Sequence, residues 1–171
     1  MFSFRTETRE LNDHVRRQTG GAYVELSAGV THYEMGNPTC TQTVVLVHGF
    51  SVPSYIFDPT FQFLARHGFR VLRYDLFGRG FSDRPRAKYN IDLFVRQLAD
   101  LLEALGLLQP VSLLGLSMGG PISAAFTARF PGRVDRLILI DPAGAWAIPR
   151  SRLLNLVSMP GVGEALLSLG G

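Results

Sequence analysis

Apolar residues along this chain fall into two alternating rhythms. Thr43-Val44-Val45-Leu46-Val47 is a continuous apolar run, the pattern of a strand buried on both faces. Val71-Leu72-Arg73-Tyr74, Val111-Ser112-Leu113-Leu114 and Leu137-Ile138-Leu139-Ile140 repeat that pattern and predict three more buried strands. Between them the period lengthens. Ile91, Phe94, Val95, Leu98, Leu101, Leu102 and Leu105 recur at three- and four-residue steps, which predicts an amphipathic helix capped by Asn90 and closed by Gly106. Asp58-Pro59 supplies an N-cap and a first-turn proline for a shorter helix ending at His67-Gly68. A small-residue helix runs from about Gly120 to Phe130 and stops at Pro131-Gly132. Ahead of all these, Tyr23–Leu26 and Val30–Tyr33 read as two short strands joined at Ala28-Gly29.

Strand and helix alternating in this way predict an α/β fold, a mostly parallel, doubly wound sheet of six strands with helices on both faces. Three regions are expected: a lead-in over residues 1–20, a core domain over 21–145, and a different texture over 146–171. In the last, two oily segments, Ser151–Ser158 and Val162–Leu169, flank Pro160-Gly161 and read as helices of an insertion.

Composition narrows the classes. The chain is 46% hydrophobic and 18% charged, enough for a packed core and incompatible with disorder as the main state. Seventeen Lys+Arg against fourteen Asp+Glu leave a net charge of +3. The basic residues between Arg5 and Arg17 and between Arg79 and Lys88 are interleaved with acidic ones, so no nucleic-acid-binding stripe forms and no nucleic-acid partner is expected. The single cysteine, Cys40, excludes an internal disulfide framework and fits a reducing compartment. No signal-peptide pattern is present, and Leu153–Leu169 is too short and too broken to span a bilayer. A cytoplasmic protein without a membrane span is the expectation. No His/Cys/Asp cluster has metal-ligand spacing, so neither metal nor cofactor is expected.

Candidate chemistry lies at Gly115-Leu116-Ser117-Met118-Gly119, a G-x-S-x-G string. The pattern gains meaning from its setting, because such a serine needs a strand before it and a helix after it, with small neighbours relieving a tight turn. Both are predicted here. The alternative is a serine in a small-residue turn packed on the sheet. Two further motifs follow the preceding strands at regular intervals: His48-Gly49-Phe50, and Asp75-x-x-Gly78-x-Gly80-x-Ser82.

Together these three motifs make the chain, from about Tyr23 onward, resemble the N-terminal part of an α/β-hydrolase-fold serine hydrolase, in the group of esterases, lipases and carbon–carbon bond hydrolases. The resemblance implies that Ser117 is the nucleophile and that the backbone N–H groups of Met118 and Phe50 form the oxyanion hole. Ser51 is the alternative to Phe50, because Ser51-Val52-Pro53 departs slightly from the family pattern. Gly49, Gly115 and Gly119 support the motifs. His48 is implied to order the oxyanion loop rather than to act as base, and Asp75, Arg79, Gly80, Ser82 and Asp83 to form a loop-ordering network. Some members place the triad acid where Asp141 stands; the alternative is turn formation at Asp141-Pro142. His32 and His67 read as ordinary structural positions, and Met118 and Met159 as core packing or acyl-pocket lining.

A triad in this fold runs Ser, then Asp or Glu, then His. The four histidines, His14, His32, His48 and His67, all precede Ser117. The expectation is therefore an N-terminal part whose triad base lies beyond residue 171, with an open sheet edge at Leu137–Ile140 that would pair with a complementary C-terminal segment or with itself. Carboxylic ester hydrolysis on a small-molecule ester is the leading function the resemblance implies. Carbon–carbon cleavage of a ring-cleavage diketone is the nearest alternative, cofactor-free haloperoxidase activity a more distant one, and a non-catalytic interaction module the alternative from another class. Dehalogenases and epoxide hydrolases of this fold carry Asp at the elbow, which Ser117 argues against. A dinucleotide site fails as well, because Asp83 stands where the third glycine of G-x-G-x-x-G belongs.

Overall fold

The structure, a computed structural model, describes residues 11–144. Six strands form one sheet in the order β1-β2-β4-β3-β5-β6: β1 (Ala22–Leu26), β2 (Gly29–Gly36), β3 (Thr43–Val47), β4 (Arg70–Tyr74), β5 (Val111–Leu116) and β6 (Val134–Ile140). β1 and β2 form a hairpin and β2 runs antiparallel to β4, whereas β4–β3, β3–β5 and β5–β6 pair in parallel. The crossovers are α2 (Asp58–Arg66), α3 (Ile91–Ala104) and α4 (Gly119–Arg129), with a short α1 (Asp13–Gln18) ahead of β1. The expected oily segments beyond Pro142 lie outside the described residues.

The continuous apolar runs make sense once the pleat is followed. Val45 and Val47 of β3, Leu72 and Tyr74 of β4, and Val111 and Leu113 of β5 face one side, against Leu98, Leu101 and Leu102 of α3 and Ile122 and Phe126 of α4. Val44, Leu46, Val71 and Leu114 face the other, against Phe57, Phe61 and Leu64 around α2. Each strand therefore serves two cores, which is why neither face could be polar.

Helix boundaries follow their caps. The Asn90 side chain accepts the Leu93 N–H at 3.0 Å and starts α3. Asp58, read from sequence as the cap of α2, is instead its first residue, because a 3-10 turn over Ser54–Phe57 leads straight into the helix and no side chain caps it. The Asp58 carboxylate is drawn to Arg73 on β4, a pairing invisible to local sequence rules. Arg73 also donates to both Glu34 oxygens at 2.9 Å and lies over the Phe61 ring, so its mostly buried charge is paired with two carboxylates, although Nε has no partner among the described residues.

Among the described residues β6 is an outer strand with a neighbour on one side only. Its Leu137, Ile138, Leu139 and Ile140 remain 37–44% exposed among the described residues, although their sequence reads as a strand buried on both faces.

Candidate functional site

The loops leaving β3, β4, β5 and β6 meet at the carboxyl ends of the parallel strands, where α/β sheets place their ligands. β5 delivers Ser117 between two glycines whose role is room. A Cβ on Gly115 would lie 2.4 Å from the Gly119 oxygen, and one on Gly119 would lie 2.0 Å from the Val47 oxygen. Only without those side chains can α4 begin directly against the ends of β5 and β3. Ser117 itself absorbs the turn, at φ 51°, a left-handed conformation that costs an ordinary residue roughly 1–2 kcal/mol. Three hydrogen bonds hold it there. Its N–H donates to Ile140 O at 3.0 Å, and its carbonyl accepts from Gly120 at 3.0 Å and Ala143 at 2.9 Å. The side chain is half-buried, and its hydroxyl has no hydrogen-bond partner among the described residues.

β3 delivers the second element. A Cβ on Gly49 would come within 3.6 Å of Ser117 Oγ, so this backbone lies directly beside the hydroxyl. His48 is fully buried, and its Nε2 accepts the Leu76 N–H at 2.9 Å, which leaves Nδ1 to donate to Gly49 O at 2.8 Å. Burial, reinforced by the Arg79 charge, lowers its pKa below the ordinary 6.5 despite the Gly49 carbonyl and Asp75, so the ring is a neutral brace. Phe50 follows, 67% exposed, with the Arg79 guanidinium stacked on its ring at 4.5 Å and Arg79 Nε donating to its carbonyl at 3.1 Å. Among the described residues, neither the Phe50 nor the Met118 N–H has an acceptor.

β4 delivers Asp75, the hub beneath both loops. Its Oδ1 accepts the Ser54 N–H at 2.9 Å, and its Oδ2 accepts the Phe81 N–H at 2.9 Å. Ser82 Oγ donates to the Asp75 carbonyl at 2.6 Å, and Asp83 Oδ2 accepts the Val30 N–H at 2.8 Å. These bonds involve Asp75, Ser82 and Asp83, three members of the network expected to order the loop together with Arg79 and Gly80. Burial works against the Asp75 charge, yet the bonds from His32, Phe81 and Ser54 outweigh it and hold the carboxyl down at about 2.

Two contributors were missed in sequence. Gln97, a polar residue inside the core-facing stripe of α3, accepts the Phe77 N–H at 2.9 Å and donates to Thr31 Oγ1 and the Asp75 carbonyl. Its position three residues after Phe94 was the available signal. His32, read as ordinary, meets Asp75 Oδ2 at 2.9 Å.

Comparison with known proteins decides the family. The α/β-hydrolase-fold profile matches residues 42–160, well over half of the chain. This chain belongs to the α/β-hydrolase-fold family. It is 42% identical over 114 residues (64% of the chain) to a 2-hydroxy-6-oxo-2,4-heptadienoate hydrolase of Pseudomonas putida, and 35% identical over 127 residues (71%) to lipase 1 of Psychrobacter immobilis. It spans 38% of the length of each of these curated relatives. Among solved structures, an enol-lactonase from Burkholderia xenovorans superposes with a TM-score of 0.72 at 26% identity, over 87% of this chain and 57% of that one.

Within this hydrolase fold, Asp141 sits one residue past the Ile140 carbonyl that accepts from Ser117, exposed and at φ 44°. No hydrogen bond joins its side chain to Ser117 or to a histidine among the described residues. His14 meets Gln18 on α1, and His67 stacks on Phe63 at the end of α2. Two shallow clefts lie away from the elbow, one between the β1–β2 turn and the end of α3, the other at the opposite end of the sheet around Thr43, Ser112 and Arg136. Among the described residues no helix is long and apolar enough to cross a membrane.

Proposed function

We propose that the protein is a serine hydrolase that cleaves carboxylic esters through an acyl-enzyme formed on Ser117. The observation that carries this reading is the elbow itself, a non-glycine residue at φ 51° whose hydroxyl is uncommitted among the described residues, beside the Gly49 backbone. In the proposed reaction Ser117 Oγ attacks the ester carbonyl and its proton passes to a base. The carbonyl oxygen takes the charge and accepts from the unpartnered Phe50 and Met118 amides; the alcohol then leaves, and water releases the acid. The base is not among the histidines present. His32 and His48 have both ring nitrogens committed, and none of the four follows Ser117. The chain spans 38% of the length of the two curated relatives named above, so the proposal leaves the base outside these residues, and Asp141 stands as the candidate acid on position alone.

Carbon–carbon bond cleavage is the second reading, favoured by the 42% identity to the Pseudomonas putida hydrolase. Fluorophosphonate labelling of the assembled enzyme, read by peptide mass spectrometry, tests the nucleophile. The adduct is expected on Ser117 and absent in Ser117→Ala. No adduct on Ser117 in the wild type overturns the proposal and leaves the interaction module. Comparing turnover of a p-nitrophenyl ester with that of a 2-hydroxy-6-oxo-dienoate separates the two hydrolase readings.

A further inference from the structure

We infer that His32 is a positioning residue for the oxyanion loop: as a buried imidazolium it ties the Gly20 carbonyl to the Asp75 carboxylate, and through Asp75 it seats the Ser54 and Phe81 amides. These two amides belong to the loops that carry Phe50 and Arg79.

The protonation state follows from the partners. His32 Nδ1 lies 2.9 Å from Asp75 Oδ2, and Nε2 lies 2.8 Å from Gly20 O. A carboxylate and a carbonyl only accept, so both ring nitrogens must donate, and only the protonated ring has two N–H groups. The pair is enclosed: the two side chains are 4% and 2% exposed, with the Phe81 ring edge-on at 5.3 Å and the Tyr23 ring at 5.1 Å. A neutral ring would leave a nitrogen lone pair pointing at an oxygen in this enclosed site, a cost comparable to that of a buried unsatisfied group.

The surrounding charges favour the cation. Asp75 faces it directly, and Glu34 adds a negative charge from the same strand. Beyond Asp75 lie neutral His48 and the Arg79 guanidinium, which is occupied with Phe50 and the Phe77 carbonyl. On the α1 side the Tyr23 hydroxyl meets Thr19, and Arg16 pairs with Asp83. Burial opposes the charge, but the bonds to Asp75 and Gly20 and the carboxylates' attraction outweigh it and raise the pKa above 6.5.

Three N–H donors therefore converge on one carboxylate, and only His32 among them carries charge. Removing that proton would take the charge from beside Asp75 and leave a single N–H to serve two acceptors, Asp75 and the Gly20 carbonyl, so the tie through Asp75 to Ser54 and Phe81 would weaken. Ser54 lies four residues after Phe50, so the consequence for the oxyanion rests on the function proposed above, whereas the clamp itself does not.

Amide hydrogen exchange and imidazole NMR on this chain test the clamp without catalysis. Both His32 nitrogens are expected to carry a proton in the folded chain, with a titration midpoint above the ordinary 6.5. Protection factors at Ser54 and Phe81 are expected to fall roughly tenfold in His32→Gln, the loss of about one charged hydrogen bond, while Val45 and Leu114 keep theirs. In the wild type the same two protection factors are expected to fall as pH rises through the imidazolium's own titration, a dependence that His32→Gln abolishes. A packing role alone would move with the substitution but not with pH. The wild-type titration stands even if the variant does not fold. A neutral His32, or Ser54 and Phe81 protection that ignores its titration, overturns the inference. Missing Ser117 labelling would sink the hydrolase reading and leave the clamp standing.

Discussion

Gly119→Ala adds one methyl group to the molecule where it has least room. The new Cβ would sit 2.0 Å from the Val47 oxygen, 2.7 Å from the Val47 carbonyl carbon and 2.8 Å from the His48 oxygen. All three are backbone atoms, so no side-chain rotation relieves the clash. Ordinary contact needs well over 1 Å more, and either β3 or α4 must supply it. β3 cannot yield cheaply, because it is paired on both sides and Val45, Leu46 and Val47 are fully buried. α4 must lift instead, carrying Ser117 and Met118 at its start.

Overpacking of a core costs about 1–3 kcal/mol, and a clash with fixed backbone belongs at the upper end, so about 3 kcal/mol is expected. For a chain of this size that corresponds to a Tm lowered by roughly 6–12 °C. Urea unfolding followed by circular dichroism measures it, with Gly132→Ala as the matched control. Gly132 has nothing within 4 Å of its missing Cβ, so that change should stay within about 0.5 kcal/mol of wild type. If Gly119→Ala lies as close to wild type as Gly132→Ala, α4 does not press on the end of β3, and the account of the elbow is wrong.

Three further outcomes follow from the same geometry. Ser117→Gly should unfold at higher urea than Ser117→Ala, by about 0.5–1 kcal/mol, since glycine accepts the observed φ and gives back part of that gain in unfolded-chain entropy; equal midpoints would show no strain at this residue. Asp75 should stay ionised until about pH 2 by carboxyl carbon NMR, contributing about 2 kcal/mol that is present above 3.8 and lost as pH falls towards 2; a midpoint near 3.8 would mean its three donors do not hold it. Gln97→Met keeps the volume but leaves the buried Phe77 N–H without its acceptor, at about 1–3 kcal/mol in urea unfolding, and a neutral result would show that N–H satisfied elsewhere.

What could be read from sequence divides by range. The elbow was legible because strand, G-x-S-x-G and helix are contiguous, although the contact that requires Gly119 is with Val47, distant in sequence. The parallel strands were legible because burial on two faces leaves an unbroken apolar run. His32 was not, since its strand reads as an ordinary alternating hairpin and its partner Asp75 lies 43 residues on. Asp58 was misread for a related reason. Asp-Pro obeys local capping rules, but a mostly buried guanidinium 15 residues away outbids a cap that water can replace. Polar residues that meet across a sheet leave no periodic trace, and this site is assembled from several of them.

β6 shows how closely these levels are joined. Ser117 keeps its unfavourable φ only while its surroundings over-determine it, and one of the three bonds that do so comes from Ile140, the last residue of β6. The register that brings Ile140 opposite Leu116 depends on a bulge at the start of the strand, where Val111 pairs with Val134 but Ser112 pairs with Arg136. A strained residue of the site is thus held by an outer strand, one with a single neighbour among the described residues and four apolar side chains more than a third exposed. Edge strands open at lower free energy than central ones, so strain at Ser117 and fraying of β6 draw on the same small reserve of stability. A group that shielded Leu137–Ile140 from water would therefore also stiffen the serine turn without touching the serine.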